Sequence, residues 1–281
     1  MNKRIIKFIS CIALLLVAYI PTIAWMLERW LEKESYYGHG LLIPLVSLFI
    51  AWQRRESLRK IIEDRKWKIE DGKWTMGGLW IVIAALLIHM VCAALKVYFV
   101  SGFSFVIALY GLIMFFFGRE VVRKVTFPIF FLFTMIPLPL VWISGLTVQL
   151  KLFATHVSTF LLNRIGFPSV YNGNLIIMPN SRILIEAPCS GLRSLISLLT
   201  LGILFAYMLK GSLIRKILLF LSSIPIAMVT NIARILLLAM VNDLYGEKIT
   251  MGFVHDASGF MVFGLAFAML MGAGKLLEYE K

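Results

Sequence analysis

Three side chains of this sequence have the types that one acyl-transfer step requires: Cys189, Arg234 and His255. A thiolate is the attacking form of cysteine, and Cys189 stands in EAPCSGLRSL, between a polar, strand-like stretch and a long apolar run. With Pro188 marking a helix start, the thiol is expected in the first helical turn. There the positive end of the helix dipole and a neighbouring cation lower its pKa. His255 titrates near neutrality when unperturbed, so it can take the thiol proton and later return it to a leaving amine. Arg234 lies within an apolar run and needs an anionic partner; an oxyanion forming on the attacked carbonyl is one. Arg193, four residues after Cys189, is expected on the same helix face and can serve likewise. Asn231 precedes Arg234 by three, so it shares that face and can orient the guanidinium, while Glu186 can pair with Arg182, Arg193 or Arg234.

Each residue also has a plain structural reading. A cysteine at a helix end is usually inert packing, His255 beside Asp256 can cap the last helix, and Arg234 can snorkel to headgroups. His39 reads as an interfacial anchor opening a span; His89 falls inside a span and His156 on an amphipathic helix, and all three are left outside the catalytic set. Cys11 and Cys92 read as small apolar residues of spans. Without a CxxC pair, neither a metal site, a disulfide framework nor any cofactor is expected.

The elements that must position these groups belong to a membrane. The 281 residues are 60% hydrophobic and only 15% charged, with a mean hydropathy of +0.88, which excludes an ordinary soluble globule. The expected fold is an all-α integral membrane protein in a single polytopic domain, 1–281, of about eight transmembrane helices. The spans are read at 5–27, 39–52, 76–95, 97–117, 125–143, 189–209, 217–240 and 255–272. Pro128, Pro137 and Pro139 predict a kink or break in the fifth. A cytoplasmic loop is expected at about 54–74 and an extracytoplasmic insert at about 146–188. Within the insert, Leu150, Phe153, Val157, Phe160 and Leu161 recur at helical spacing opposite Gln149, Lys151, Thr155 and Ser158, which predicts an interfacial amphipathic helix over 147–164. YNGN and MPNS then flank two short runs, 175–178 and 182–185, as a small hairpin.

Charge sets the orientation. Nineteen of the 28 basic residues fall on one side of these spans, and the positive-inside rule makes that side cytoplasmic, with both termini inside. The net charge of +13 is thereby assigned to membrane topology, with no nucleic-acid partner. Depth follows from a rise of about 1.5 Å per residue. A helix over 189–209 runs inward for roughly 31 Å, Arg234 rises about 26 Å above Ile217, and His255 opens the final inward span. Thiol, guanidinium and imidazole are thus expected at one level, near the extracytoplasmic face.

At these residues the sequence resembles the exosortase/archaeosortase family of membrane cysteine transpeptidases, whose pattern is a cysteine in a CSGLRS-type motif, an arginine after a further span and a final histidine or arginine. The matching residues are Cys189 in CSGLRSL, Arg234 in NIARI and His255 in HDASGF, and YGHGLLIPLVSLFIAW at 37–52 is similar to the family's amino-terminal HG...P...W segment. The resemblance implies a prokaryotic cytoplasmic-membrane enzyme acting on secreted proteins that end in a short motif such as PEP, a transmembrane helix and a basic tail. It implies cleavage near the motif through a Cys189 thioester and transfer to an acceptor, a membrane lipid or surface-polymer component. The rival readings are a transporter or channel component lined by Arg234 and His255, and a purely hydrolytic intramembrane protease.

Overall fold

The structure, a computed structural model, describes residues 3–33, 35–66, 76–246, 250 and 254–278. It is mostly helical and divides into two compact units, Met1–Leu138 and Pro139–Lys281. Among the described residues five helices are long and apolar enough to cross a membrane, or six with one bent pair counted as a span. Two shorter apolar helices, Gly38–Gln53 and Leu192–Met208, accompany them. This is a multi-pass membrane protein.

In the first unit, the span expected at 5–27 is bent by 66° into α1 (Lys3–Ala18) and α2 (Ile20–Leu31). Pro21, in the first turn of α2, cannot donate the i→i−4 bond that would continue α1. The break is filled by polar groups. His89 bonds the Ala18 carbonyl through Nε2 (3.0 Å) and Ser101 Oγ through Nδ1 (2.7 Å), and its ring stacks on Tyr19 at 3.8 Å. With Nε2 donating to a carbonyl, Nδ1 is the acceptor, so Ser101 donates to it and Thr22 donates to Ser101 (2.6 Å).

The 3-10 turn Gly38–Leu41 leads into α3 (Leu42–Gln53), and the first part of the expected cytoplasmic loop forms a helix, α4 (Arg55–Lys66); the remainder, 67–74, lies outside the described residues. Next come α5 (Met76–Ala94) and α6 (Tyr98–Phe131). Within α6, Gly118 has φ 81° and ψ 178°, a conformation open to glycine alone. The chain folds back there: Tyr110 meets Phe130 and Phe103 meets Phe133, ring pairs 20 and 30 residues apart that a straight helix would hold tens of ångströms from each other. The expected fourth span and the start of the fifth are the two arms of this hairpin. The proline-rich break follows the 3-10 turn Leu132–Met135, as extended chain over 136–139.

The second unit opens with α7 (Leu140–Arg164), which begins seven residues before the expected interfacial helix and is long enough to span. Thr147, Thr155, Ser158 and Thr159 are buried, whereas Val141, Trp142, Phe153 and Phe160 are exposed. An interfacial helix would turn Thr155 and Ser158 to water; here they are buried in protein, where small hydroxyl residues let helices approach closely, while the apolar side chains stay outside. Thr147, Thr155 and Thr159 return their hydroxyls to carbonyls four residues back, so their polarity is satisfied within α7.

The expected hairpin gains a strand. β1 (Val170–Asn172), β2 (Leu175–Ile177) and β3 (Arg182–Leu184) form an antiparallel sheet in the order β1-β2-β3, with Ile176 opposite both Tyr171 and Ile183. Asp243 accepts from the Asn180 N–H (3.1 Å) and Ser181 Oγ (3.2 Å), tying the β2–β3 turn to the helix that carries Arg234. Among the described residues, α8 (Leu192–Met208), α9 (Leu213–Tyr245) and α10 (His255–Glu278) follow in this unit.

Candidate active site

All three residues singled out for chemistry belong to the second unit. Cys189 does not stand in the first turn of α8. It sits in a separate 3-10 turn, Ala187–Ser190, and Gly191 in the left-handed region (φ 79°) separates that turn from the helix. Cys189 and Arg193 therefore do not share a helix face, because the i,i+4 relation requires uninterrupted helix between them. The thiol side chain is half-buried over the cluster formed by Ile185, Ile235 and Ala239.

Two bonds hold the turn. The Cys189 N–H donates to the Glu186 carbonyl (3.1 Å), and the Cys189 carbonyl accepts from Asn231 Nδ2 on α9 (3.1 Å). Asn231, 5% exposed, packs its amide against the Gly191 α-carbon so closely that a Cβ there would lie 2.8 Å from Asn231 Cγ. The side chain expected to orient Arg234 instead anchors the backbone of the cysteine turn. Glu186 is exposed, and its carbonyl is the group that contacts the turn.

One helical turn after Asn231, Arg234 donates from Nε to Ser258 Oγ on α10 (3.1 Å), with Ser258 2% exposed and the guanidinium lying over Gly259. His255 opens α10 one turn before Ser258; its side chain lies outside the described residues. Arg193, in the first turn of α8, is half-buried, and its Nε is buried without a hydrogen-bond partner among the described residues. Two fixed links thus run from the cysteine turn through Asn231 to α9, and from Arg234 through Ser258 to the start of α10. Ser258 and Gly191 were not singled out in the sequence. Ser258 follows His255 by three, which puts it on the same helical face, and Gly191 lies inside the CSG tripeptide; both signals are too common among serines and glycines to stand out.

Beside the cysteine turn runs an open groove of about 280 Å³, counting its mouth. Its floor is Ser190, Gly191 and Asn231, and its walls are apolar: Leu150 and Phe153 from α7, Leu195 from α8, and Met228 from α9. The arrangement sets a half-buried thiol next to this groove, with a guanidinium held one turn along the same helix that anchors the thiol's backbone.

A family model described as transmembrane exosortase matches residues 30–272 of this chain. Neither a curated protein nor a solved structure matches it.

Proposed function

We propose that this chain, which belongs to the transmembrane exosortase family, is a membrane-embedded cysteine peptidase and transpeptidase that removes carboxy-terminal sorting signals from secreted proteins and passes them to a lipid or surface-polymer acceptor. The observation that carries this reading is the pair of links just described: one helix, α9, bonds the Cys189 turn through Asn231 and, three residues on, seats the Arg234 guanidinium against α10. A structural cysteine needs no such anchoring to the helix of a half-buried cation.

In the proposed reaction the Cys189 thiolate adds to the scissile carbonyl, and the oxyanion that forms is stabilised by the Arg234 guanidinium. His255, protonated by the thiol, gives that proton to the departing amine, leaving the secreted protein as a thioester on Cys189 and releasing the signal peptide. The acceptor nucleophile then attacks the thioester, His255 takes its proton, and the thiolate is restored. Asn231 takes no part in proton movement; it fixes the height of the cysteine turn. In the orientation set by the basic residues, the site faces the extracytoplasmic side, where a substrate helix with a cytoplasmic basic tail presents the residues just outside its span. α7 lines the groove beside the cysteine turn and would form one wall of an entry for that helix.

The test is co-expression of a tagged secreted protein ending in motif, apolar helix and basic tail with wild type or Cys189→Ala. Processing is expected with wild type alone, and unchanged processing in the variant refutes the enzyme reading. Mass spectrometry of the new carboxy terminus then separates transfer, which adds a group, from hydrolysis, which leaves a free acid.

A further inference from the structure

Three groups of cations in the first unit are far apart in sequence but meet at one of its ends. Phe8, just after Arg4 and Lys7 on α1, packs edge-on against Phe116 and Phe117, at the foot of the Gly118 turn. Arg4 itself stands 6.0 Å from the Phe117 ring. Directly after the turn come Arg119, Arg123 and Lys124, exposed on the outer face of an arm whose Val121, Val122 and Val125 are buried. Arg54, at the junction of α3 and α4, donates from Nη1 to the Lys124 carbonyl (2.6 Å), bringing the third segment to the same place. α4 then adds Arg55, Arg59 and Lys60.

Around this end, nine described cationic side chains stand against three acids, Glu56, Glu63 and Glu120, and Glu63 is already paired with Arg59 (2.9 Å). Its depth is marked by two exposed indoles. Trp52, 55% exposed, carries Arg55 at 4.1 Å from its ring, and Trp80, 65% exposed, stands near the start of α5, where Gly78 packs on the backbone of Gly111 and Phe115. Exposed tryptophans with apolar surface on one side and cations on the other mark the headgroup level of a bilayer. α4 suits the same plane: Leu58, Ile61 and Ile62 are half-buried while Arg55, Glu56, Arg59, Lys60 and Glu63 are exposed.

We propose that this end of the first unit binds anionic phospholipid headgroups in preference to zwitterionic ones, with Arg119, Arg123 and Lys124 as the phosphate ligands and the Arg54–Lys124 bond as the strut that joins them to α4. The occupant follows from the charge balance and the depth together. A soluble polyanion would not need the indole belt, and a zwitterionic headgroup would leave the excess cations uncompensated. The exposed residues beside the cations, Ile5, Ile6 and Ile9 on α1, offer the acyl chains their apolar surface.

The test uses the purified full chain reconstituted in phosphatidylcholine vesicles containing a trace of spin-labelled phosphatidylglycerol or spin-labelled phosphatidylcholine. The motionally restricted fraction of each label is read by electron paramagnetic resonance. At low salt the glycerol lipid is expected to be enriched over the choline lipid, and near 1 M salt, where the Debye length is only about 3 Å, the enrichment is lost. Arg119→Gln/Arg123→Gln/Lys124→Gln should lower the relative association of phosphatidylglycerol by more than about tenfold. Neutralising the cations at and just before the start of α9 in the other unit, Lys210→Gln/Arg215→Gln/Lys216→Gln, should leave most of it intact. Equal association of the two lipids with wild type overturns the proposal, and so does a selectivity lost in the second variant but kept in the first.

Discussion

Replacing Gly191 by alanine probes the link on which the proposed site depends. Two costs follow from the structure. At φ 79° an L-residue pays roughly 1–2 kcal/mol for the left-handed region. The new methyl would lie 2.8 Å from Asn231 Cγ and 2.9 Å from Nδ2, so the buried amide must move and lose its bond to the Cys189 carbonyl, worth about 1 kcal/mol. The expected loss is therefore about 2–3 kcal/mol, part of it felt as a displaced cysteine turn. Denaturant unfolding in detergent micelles reads the total. The alkylation rate of Cys189, in a Cys11→Ser/Cys92→Ser background, reads the turn. Asn231→Ala removes the obstacle, so in a double-mutant cycle Gly191→Ala should cost less on that background, by about 1 kcal/mol or more. Strict additivity of the two changes, with an alkylation rate unmoved by Gly191→Ala, would show that Asn231 does not hold the turn and would refute the argument.

Two further outcomes follow from other contacts. Ser258→Ala removes the acceptor of Arg234 Nε and should lower turnover of a processed substrate about tenfold or more with little change in KM, whereas Ser258→Thr, which keeps the hydroxyl, should restore most of it; steady-state kinetics on reconstituted protein check both. His89→Leu leaves the Ala18 carbonyl without its partner and the Ser101 hydroxyl with Thr22 alone at the bend of the first span, and should destabilise the fold by about 2 kcal/mol without altering Cys189 alkylation, read by the same unfolding and labelling assays.

The apolar runs were legible because lipid demands them: a stretch such as 76–94 has few alternatives to a spanning helix, and the structure places its ends within one residue of the expected 76–95. The candidate residues stood out unequally: an arginine within an apolar run is a costly placement, whereas the cysteine and the histidine drew notice through the motifs around them. What lay beyond reach was decided by contacts. Nothing in CSGLRSL announces that the helix starts at Leu192, because the left-handed Gly191 is stabilised by the amide of Asn231, 40 residues away. β1 is three residues long, too short for a period to register, and exists through its pairing with β2. For α7, periodicity shows that the helix has two faces, but whether each one meets water, lipid or protein is decided by its surroundings.

Asn231 and Arg234 are three residues apart on an unbroken stretch of α9, about 4.5 Å of rise, and that spacing cannot be changed by any loop. The helix therefore acts as a common axle for both halves of the proposed chemistry. The groove residues Ala227, Met228 and Ile232 lie on that axle too, and Pro225, six residues before Asn231, is where it can flex. A guest chain pressing into the groove would turn the anchor of the thiol and the seat of the cation together, so that occupancy of the trough and alignment of the reacting groups become one mechanical event.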